Sequence, residues 1–95
     1  MAKVIWSAKA RKDVEGIVRY IADDKPSTAE LYARRIFTAT RQLKDFPKSG
    51  RIVPEESNEN VRELIFGSYR IIYEIIGDKI TILTVHHSAR ILHID

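Results

Sequence analysis

Apolar residues in the first half of the chain fall at Ala10, Val14, Ile17, Val18 and Ile21, a spacing that draws one stripe down a helix. Ser7 stands in front of this run as a good N-cap, and Lys3 to Trp6 before it reads as a short strand. On the polar face, Lys9 with Asp13 and Glu15 with Arg19 are i, i+4 ion pairs. Asp23-Asp24-Lys25-Pro26 breaks the pattern, and Ser27-Thr28-Ala29-Glu30 has the spacing of a capping box, so a second helix is predicted from Ser27. Ala29, Tyr32, Ala33, Ile36, Ala39, Thr40 and Leu43 keep its period until Phe46-Pro47 ends it. The two helices predict an antiparallel hairpin.

From Lys48 to Asn60 the chain is polar, with Ser49-Gly50 and Pro54, and reads as a loop without regular structure. Loops of this length are often functional. The period then changes to two. Val61 to Phe66, Tyr69 to Ile76 and Ile80 to His86 are rich in Ile, Val and Tyr and are separated by Gly67-Ser68 and Gly77-Asp78-Lys79. These segments predict a three-stranded antiparallel meander. With the first strand the order is β-α-α-β-β-β, an α+β fold whose helical hairpin packs on one face of a mainly antiparallel sheet.

A Gly67-Ser68 turn pairing Phe66 with Tyr69 fixes strand parity. Arg62, Leu64, Ile71 and Tyr73 then share one side, while Val61, Glu63, Ile65, Arg70, Ile72 and Glu74 share the other. The first side suits the helices. The second is expected to be concave and partly open, with Arg70 either available to a ligand or tied across strands to Glu63 or Glu74.

Ninety-five residues predict one domain spanning 1–95. A hydrophobic fraction of 44% and a charged fraction of 31%, with 4 Gly and 3 Pro, exclude disordered and low-complexity classes. Zero Cys excludes a disulfide scaffold and thiolate metal ligation. His86 and His87 point to opposite faces of a strand and so cannot chelate one ion together, and neither metal nor cofactor is expected. The opening residues lack the apolar core of a signal peptide and no window approaches the roughly 18 apolar residues of a membrane span, so the expectation is a cytoplasmic protein without membrane association. Net charge is +3, but residues 1–47 hold 10 basic and 6 acidic side chains against 6 and 7 in the remainder. The basic excess of the helical half suits solvated helix faces or an acidic partner.

Taken together, Trp6, the Lys9-to-Ile21 helix, Ala29-Glu30, Leu43, Pro47, Ser49-Gly50-Arg51, Arg62-Glu63-Leu64, Tyr69-Arg70-Ile71-Ile72-Tyr73 and His87-Ser88-Ala89-Arg90 resemble the RelE/ParE superfamily of type II toxin–antitoxin toxins over nearly the whole chain. The resemblance implies a helical hairpin followed by an antiparallel sheet, and an antitoxin partner that is acidic and binds through a helix, an extended segment or both. It leaves two activities open. One branch cleaves messenger RNA on the ribosome, with two lysines on the strand before the Tyr-Arg motif, arginines and a C-terminal tyrosine. Here the lysine positions hold Val61 and Glu63, and no tyrosine follows Arg90 in a sequence that stops at Asp95. A related nuclease subgroup uses a glutamate, an arginine and a histidine, roles open to Glu55 or Glu56, to Arg70, and to His86 or His87, while Arg90 stands where the first branch has its second arginine. The other branch inhibits DNA gyrase by binding, and the His87-to-Arg90 ending is nearer to its His-Gly-x-Arg pattern. On that reading Arg34, Arg35, Arg41, Arg51 and Arg62 are the expected target-binding residues, with Arg70 structural. A non-toxic binding module of the same fold is the third expectation.

Overall fold

The computed structural model describes residues 2–87, arranged as β1 (Lys3–Trp6), α1 (Ala8–Ala22), α2 (Pro26–Arg41) with a 3-10 turn at Gln42–Lys44, β2 (Arg51–Ile52), β3 (Val61–Phe66), β4 (Tyr69–Ile76) and β5 (Lys79–His87). Ser7 begins α1 as expected. Its hydroxyl accepts the Ala10 N–H at 2.9 Å and donates to the Leu83 carbonyl at 2.9 Å, tying the helix start to β5. The start of α2 differs from the expected Ser27 capping box. The helix begins at Pro26, with Lys25 at the N-cap and no side-chain cap bond. Proline is preorganised for the first helical position and has no N–H to leave unsatisfied there.

The sheet order is β1-β5-β4-β3-β2. β1 runs parallel to β5, and every other pair is antiparallel. The expected register is present, with Phe66 opposite Tyr69, Leu64 opposite Ile71 and Arg62 opposite Tyr73. Gly67 and Gly77 take φ of 57° and 61° at the first positions of two-residue turns, a conformation that costs glycine little. β2 corrects the reading of Lys48 to Asn60 as irregular throughout, because Arg51 and Ile52 pair with Glu63 and Arg62. A two-residue strand has too few positions to show an alternation.

One cluster of buried side chains lies between the hairpin and the sheet, joining Ala10, Val14, Ile36 and Leu43 to Ile71, Tyr73, Ile80, Ile82 and Val85. A second, smaller cluster of Val53, Val61 and Ile72, with Leu83 packed against it, lies on the opposite face. The second face is therefore not the open concave surface that strand parity suggested. The segment after β2 folds over it and places Val53 in a core of its own. Tyr73 anchors the start of that segment from below: its hydroxyl donates to the Pro47 carbonyl at 2.7 Å and accepts the Gly50 N–H at 3.0 Å. A Cβ on Gly50 would stand 2.5 Å from the Glu63 carbonyl oxygen and 2.7 Å from that hydroxyl, so close approach makes this position glycine. No helix among the described residues is long and apolar enough to cross a membrane.

Candidate functional site

Arg70 lies on β4, two residues before Ile72 of the second core, and its guanidinium is held by two carboxylates. Nη1 and Nη2 each donate to a Glu55 carboxylate oxygen at 2.8 Å, forming the bidentate fork that suits a planar carboxylate, and Nε donates to Glu63 at 2.5 Å. The other oxygen of Glu63 accepts from Arg51 Nε. Arg70 is 8% exposed and Glu63 is 1% exposed, so the middle of this chain of charges is largely desolvated while its ends reach solvent. Glu55 is half exposed at the rim. Its hydrogen bonds to Arg70 hold its carboxyl at about 2, well below the usual 4.5, despite an opposing contribution from burial. Glu55 in turn raises the already high guanidinium pKa of Arg70. Of the two adjacent candidates it is Glu55, not Glu56, that reaches the arginine.

Cross-strand register sets His86 opposite Arg70 and His87 opposite Tyr69. The Glu55, Arg70 and His86 positions expected for the glutamate-arginine-histidine nuclease subgroup are thus neighbours. Both histidines are half-buried, and the His87 ring meets Tyr69 edge-on at 5.3 Å. Arg90 lies outside the described residues. Among those residues no group of three or more His, Cys, Asp or Glu is placed to hold a metal ion.

The five arginines expected to meet a target fall in two groups. Arg34, Arg35 and Arg41 are exposed along α2, and the first two border a shallow groove with Thr38, Ala39, Gln42 and Phe66. Arg34 also pairs with Glu30 at 2.9 Å in full view of solvent, which is worth little. Arg51 and Arg62 are tied to neighbouring segments of the fold. Arg51 is bound to Glu63, and Arg62 Nη1 donates to the Gly50 carbonyl at 3.0 Å, bracing the 47–50 segment. Arg51 keeps an exposed guanidinium, whereas Arg62 is half-buried.

A larger groove, unnoticed in the sequence pattern, lies between α1 and the end of β5. Lys9, Lys12, Gly16, Ile17 and Tyr20 of α1 line it together with Tyr69, Val85, His86 and His87. Asp13 secures its floor by accepting the Val85 N–H at 3.1 Å and the Thr84 hydroxyl at 2.5 Å, while Lys9 donates to Thr84 at 2.9 Å. β1 reaches only to Ile82 on this edge, so Asp13 satisfies a strand N–H that β1 leaves unpaired. The signal available in the sequence was a glycine inside an otherwise regular helix.

The family model described as the ParE toxin of type II toxin–antitoxin system, parDE, matches residues 4–92. Toxin RelE2 of Caulobacter vibrioides is 32% identical over 92 residues, covering 96% of this chain and 100% of that protein. Putative toxin Y4kP of Sinorhizobium fredii is 34% identical over 88 residues, covering 90% of this chain and 88% of that protein. Among solved structures, the chromosomal ParDE system of P. aeruginosa superposes with a TM-score of 0.77 at 21% identity, covering 92% of this chain and 96% of that one. The RelBE2 toxin–antitoxin complex of Mycobacterium tuberculosis gives 0.55 at 19% identity, covering 90% and 96%. These likenesses establish the fold of two helices on a five-stranded sheet.

Proposed function

The chain belongs to the ParE toxin family of type II toxin–antitoxin systems, and from that membership we propose that it acts in the cytoplasm by binding and inhibiting DNA gyrase, with an acidic cognate antitoxin holding it in check. The observation that carries this reading is the engagement of Arg70. A nuclease needs cations free to meet a phosphorane and a base whose pKa lies near working pH. Here the fork of Arg70 is filled by Glu55, and the same contact leaves the carboxylate with a pKa of about 2, far too weak a base. Glu63, buried where the ribosome-dependent branch has a lysine, places further negative charge against any phosphate. A gyrase binder needs none of this chemistry, and Arg34, Arg35 and Arg41 supply an exposed basic flank on α2.

One observation favours a second reading, that of a ribosome-dependent mRNA endoribonuclease: Glu55, Arg70 and His86 are brought together by register and by the folded-over segment. A pair of assays decides between the two. Purified protein is added to a gyrase supercoiling reaction and, separately, to programmed ribosomes followed by primer extension across the A-site codon. Loss of supercoiling with intact message is the expected result. Codon-specific cleavage selects the nuclease, and silence in both assays selects a non-toxic binding module.

A further inference from the structure

β1 and β2 are the outer strands of the described sheet, and the chain treats the two edges differently. β2 is two residues long, carries Arg51 and continues into the segment that folds over the second face, so brevity and charge blunt it. β1 is Lys-Val-Ile-Trp, with no bulge in its register, and Val4, Ile5 and Trp6 are all only half-buried. The N–H groups of Lys3 and Ser7 donate to the Asp78 and Ile82 carbonyls at 2.8 and 3.0 Å. Main-chain groups alternate in direction along a strand, so those of Val4 and Trp6 point away from β5. The preceding outward N–H, that of Ala2, is taken by the Lys44 carbonyl at 3.0 Å, and α1 begins at Ala8. The open edge is thus confined to Val4 and Trp6. Beside it Trp6 packs against Phe37 of α2 with ring centroids 5.2 Å apart, and Phe37 is itself 49% exposed.

We propose that β1 of a second copy of the chain completes this edge, running antiparallel about a two-fold axis at Ile5. Val4 of each copy then exchanges both main-chain hydrogen bonds with Trp6 of the other, which uses every open group of the edge. Ile5 meets its own counterpart on one face of a joined sheet of ten strands, five from each copy. On the other face Trp6 and Phe37 close over Val4 of the second copy. The length of the edge selects this occupant: a longer strand meets the Lys44 carbonyl at one end and the start of α1 at the other, whereas β1 matches the open run group for group. Charge permits it as well. Lys3 is the only ionisable side chain of β1, and the axis sets the two lysines four residues apart, roughly 14 Å, beyond a Debye length of about 8 Å at physiological salt. Both helical hairpins lie on the same face of the joined sheet, so the α2 helices form one two-fold surface. The assignment does not depend on which target the toxin meets.

The sequence has no cysteine, which allows a trap that is specific for this register. Directly opposite residues of a non-hydrogen-bonded antiparallel pair have Cα atoms about 4.5 Å apart, within reach of a disulfide. Full-length Ile5→Cys, oxidised with glutathione disulfide, should therefore give a covalent dimer in high yield, while Lys3→Cys, roughly 14 Å from its counterpart, should not. In sedimentation equilibrium the mass of the wild-type chain should rise with concentration toward that of two copies. Val4→Pro removes an outward N–H, a change that edge strands tolerate, and should leave a folded monomer. Ile5→Pro removes an N–H directed at β5 and should melt lower than Val4→Pro. Phe37→Glu sets like charges beside the seam and should weaken association about tenfold or more. Should Val4→Pro fail to fold, the cysteine pair still decides. A wild-type chain that sediments as one molecule at every concentration overturns the proposal, as does equal cross-linking of the two cysteine variants, the mark of random collision. A dimer that Val4→Pro leaves intact lies on another surface and overturns it too. A monomeric wild type whose antitoxin binding is lost in folded Val4→Pro would give the edge to the antitoxin instead.

Discussion

Glu63 is a buried carboxylate with guanidinium partners on both oxygens, and taking either partner away leaves charge in a place that water barely reaches. Arg70→Ala is therefore expected to lower unfolding free energy by about 3 kcal/mol or more in urea titrations. Replacing both members, as Arg70→Met with Glu63→Leu, should cost less, because the ions then left without partners, Glu55 and Arg51, are open to solvent. On the gyrase reading growth arrest falls only as far as folding does; arrest lost at an unchanged unfolding midpoint would return Arg70 to phosphate chemistry. Glu55 adds a pH signature to the same cluster. Its carboxyl titrates at about 2 in the folded chain against a usual 4.5, so its contribution is fully present above pH 4.5 and is lost as pH falls through 2. Melting temperature measured between pH 5 and 2 should decline, and Glu55→Gln should flatten that part of the profile. Strand parity put Arg70 on one face with Glu63 and Glu74, since a Gly67-Ser68 turn fixes which residues share a face, but did not choose between the two acids; the fold chooses Glu63. Glu55 was not, because its reach to Arg70 depends on a segment whose path no local pattern encodes.

The elements that periodicity announces are the long ones. α1, β3 and β4 lie where their stripes and alternations placed them, and β5 extends one residue further at each end. What pattern missed is short or long-range: two residues of β2, and Val53 turning under to build a second core. The 47–60 segment consequently depends on a few contacts that can be removed singly. Tyr73→Phe deletes both the donor to Pro47 and the acceptor for the buried Gly50 N–H, at an expected cost of about 1–3 kcal/mol. Limited proteolysis should find new cleavage within 47–60 before global unfolding. Gly50→Ala acts at the same junction by a different route, forcing Glu63 backbone or the Tyr73 hydroxyl to move, and should cost a similar amount. Burial pushes the Tyr73 phenol above its usual range, as expected of a hydroxyl serving as a structural clamp.

At the scale of the molecule, the two sheet faces divide the labour. One is filled by the hairpin, the other by the folded-over segment and its ions, and exposed basic residues are left on α2. Arg34→Ala with Arg35→Ala touches no core, so melting temperature should move by no more than about 2 °C, within the usual range for surface changes. Growth arrest and gyrase inhibition should fall nonetheless; full toxicity in this variant would remove α2 from the target surface. The sheet order has its own consequence for how the molecule is made. Among the described strands β1 is made before the others, yet it pairs with β5, which is made after them, at a sequence separation of about 76 residues in every pair. During synthesis the apolar stripe of the hairpin has no finished sheet to cover, and the α1–β5 groove does not exist until β5 is in place. The nascent chain therefore gains the β1–β5 pairing, and the groove beside it, only once synthesis has carried it through β5.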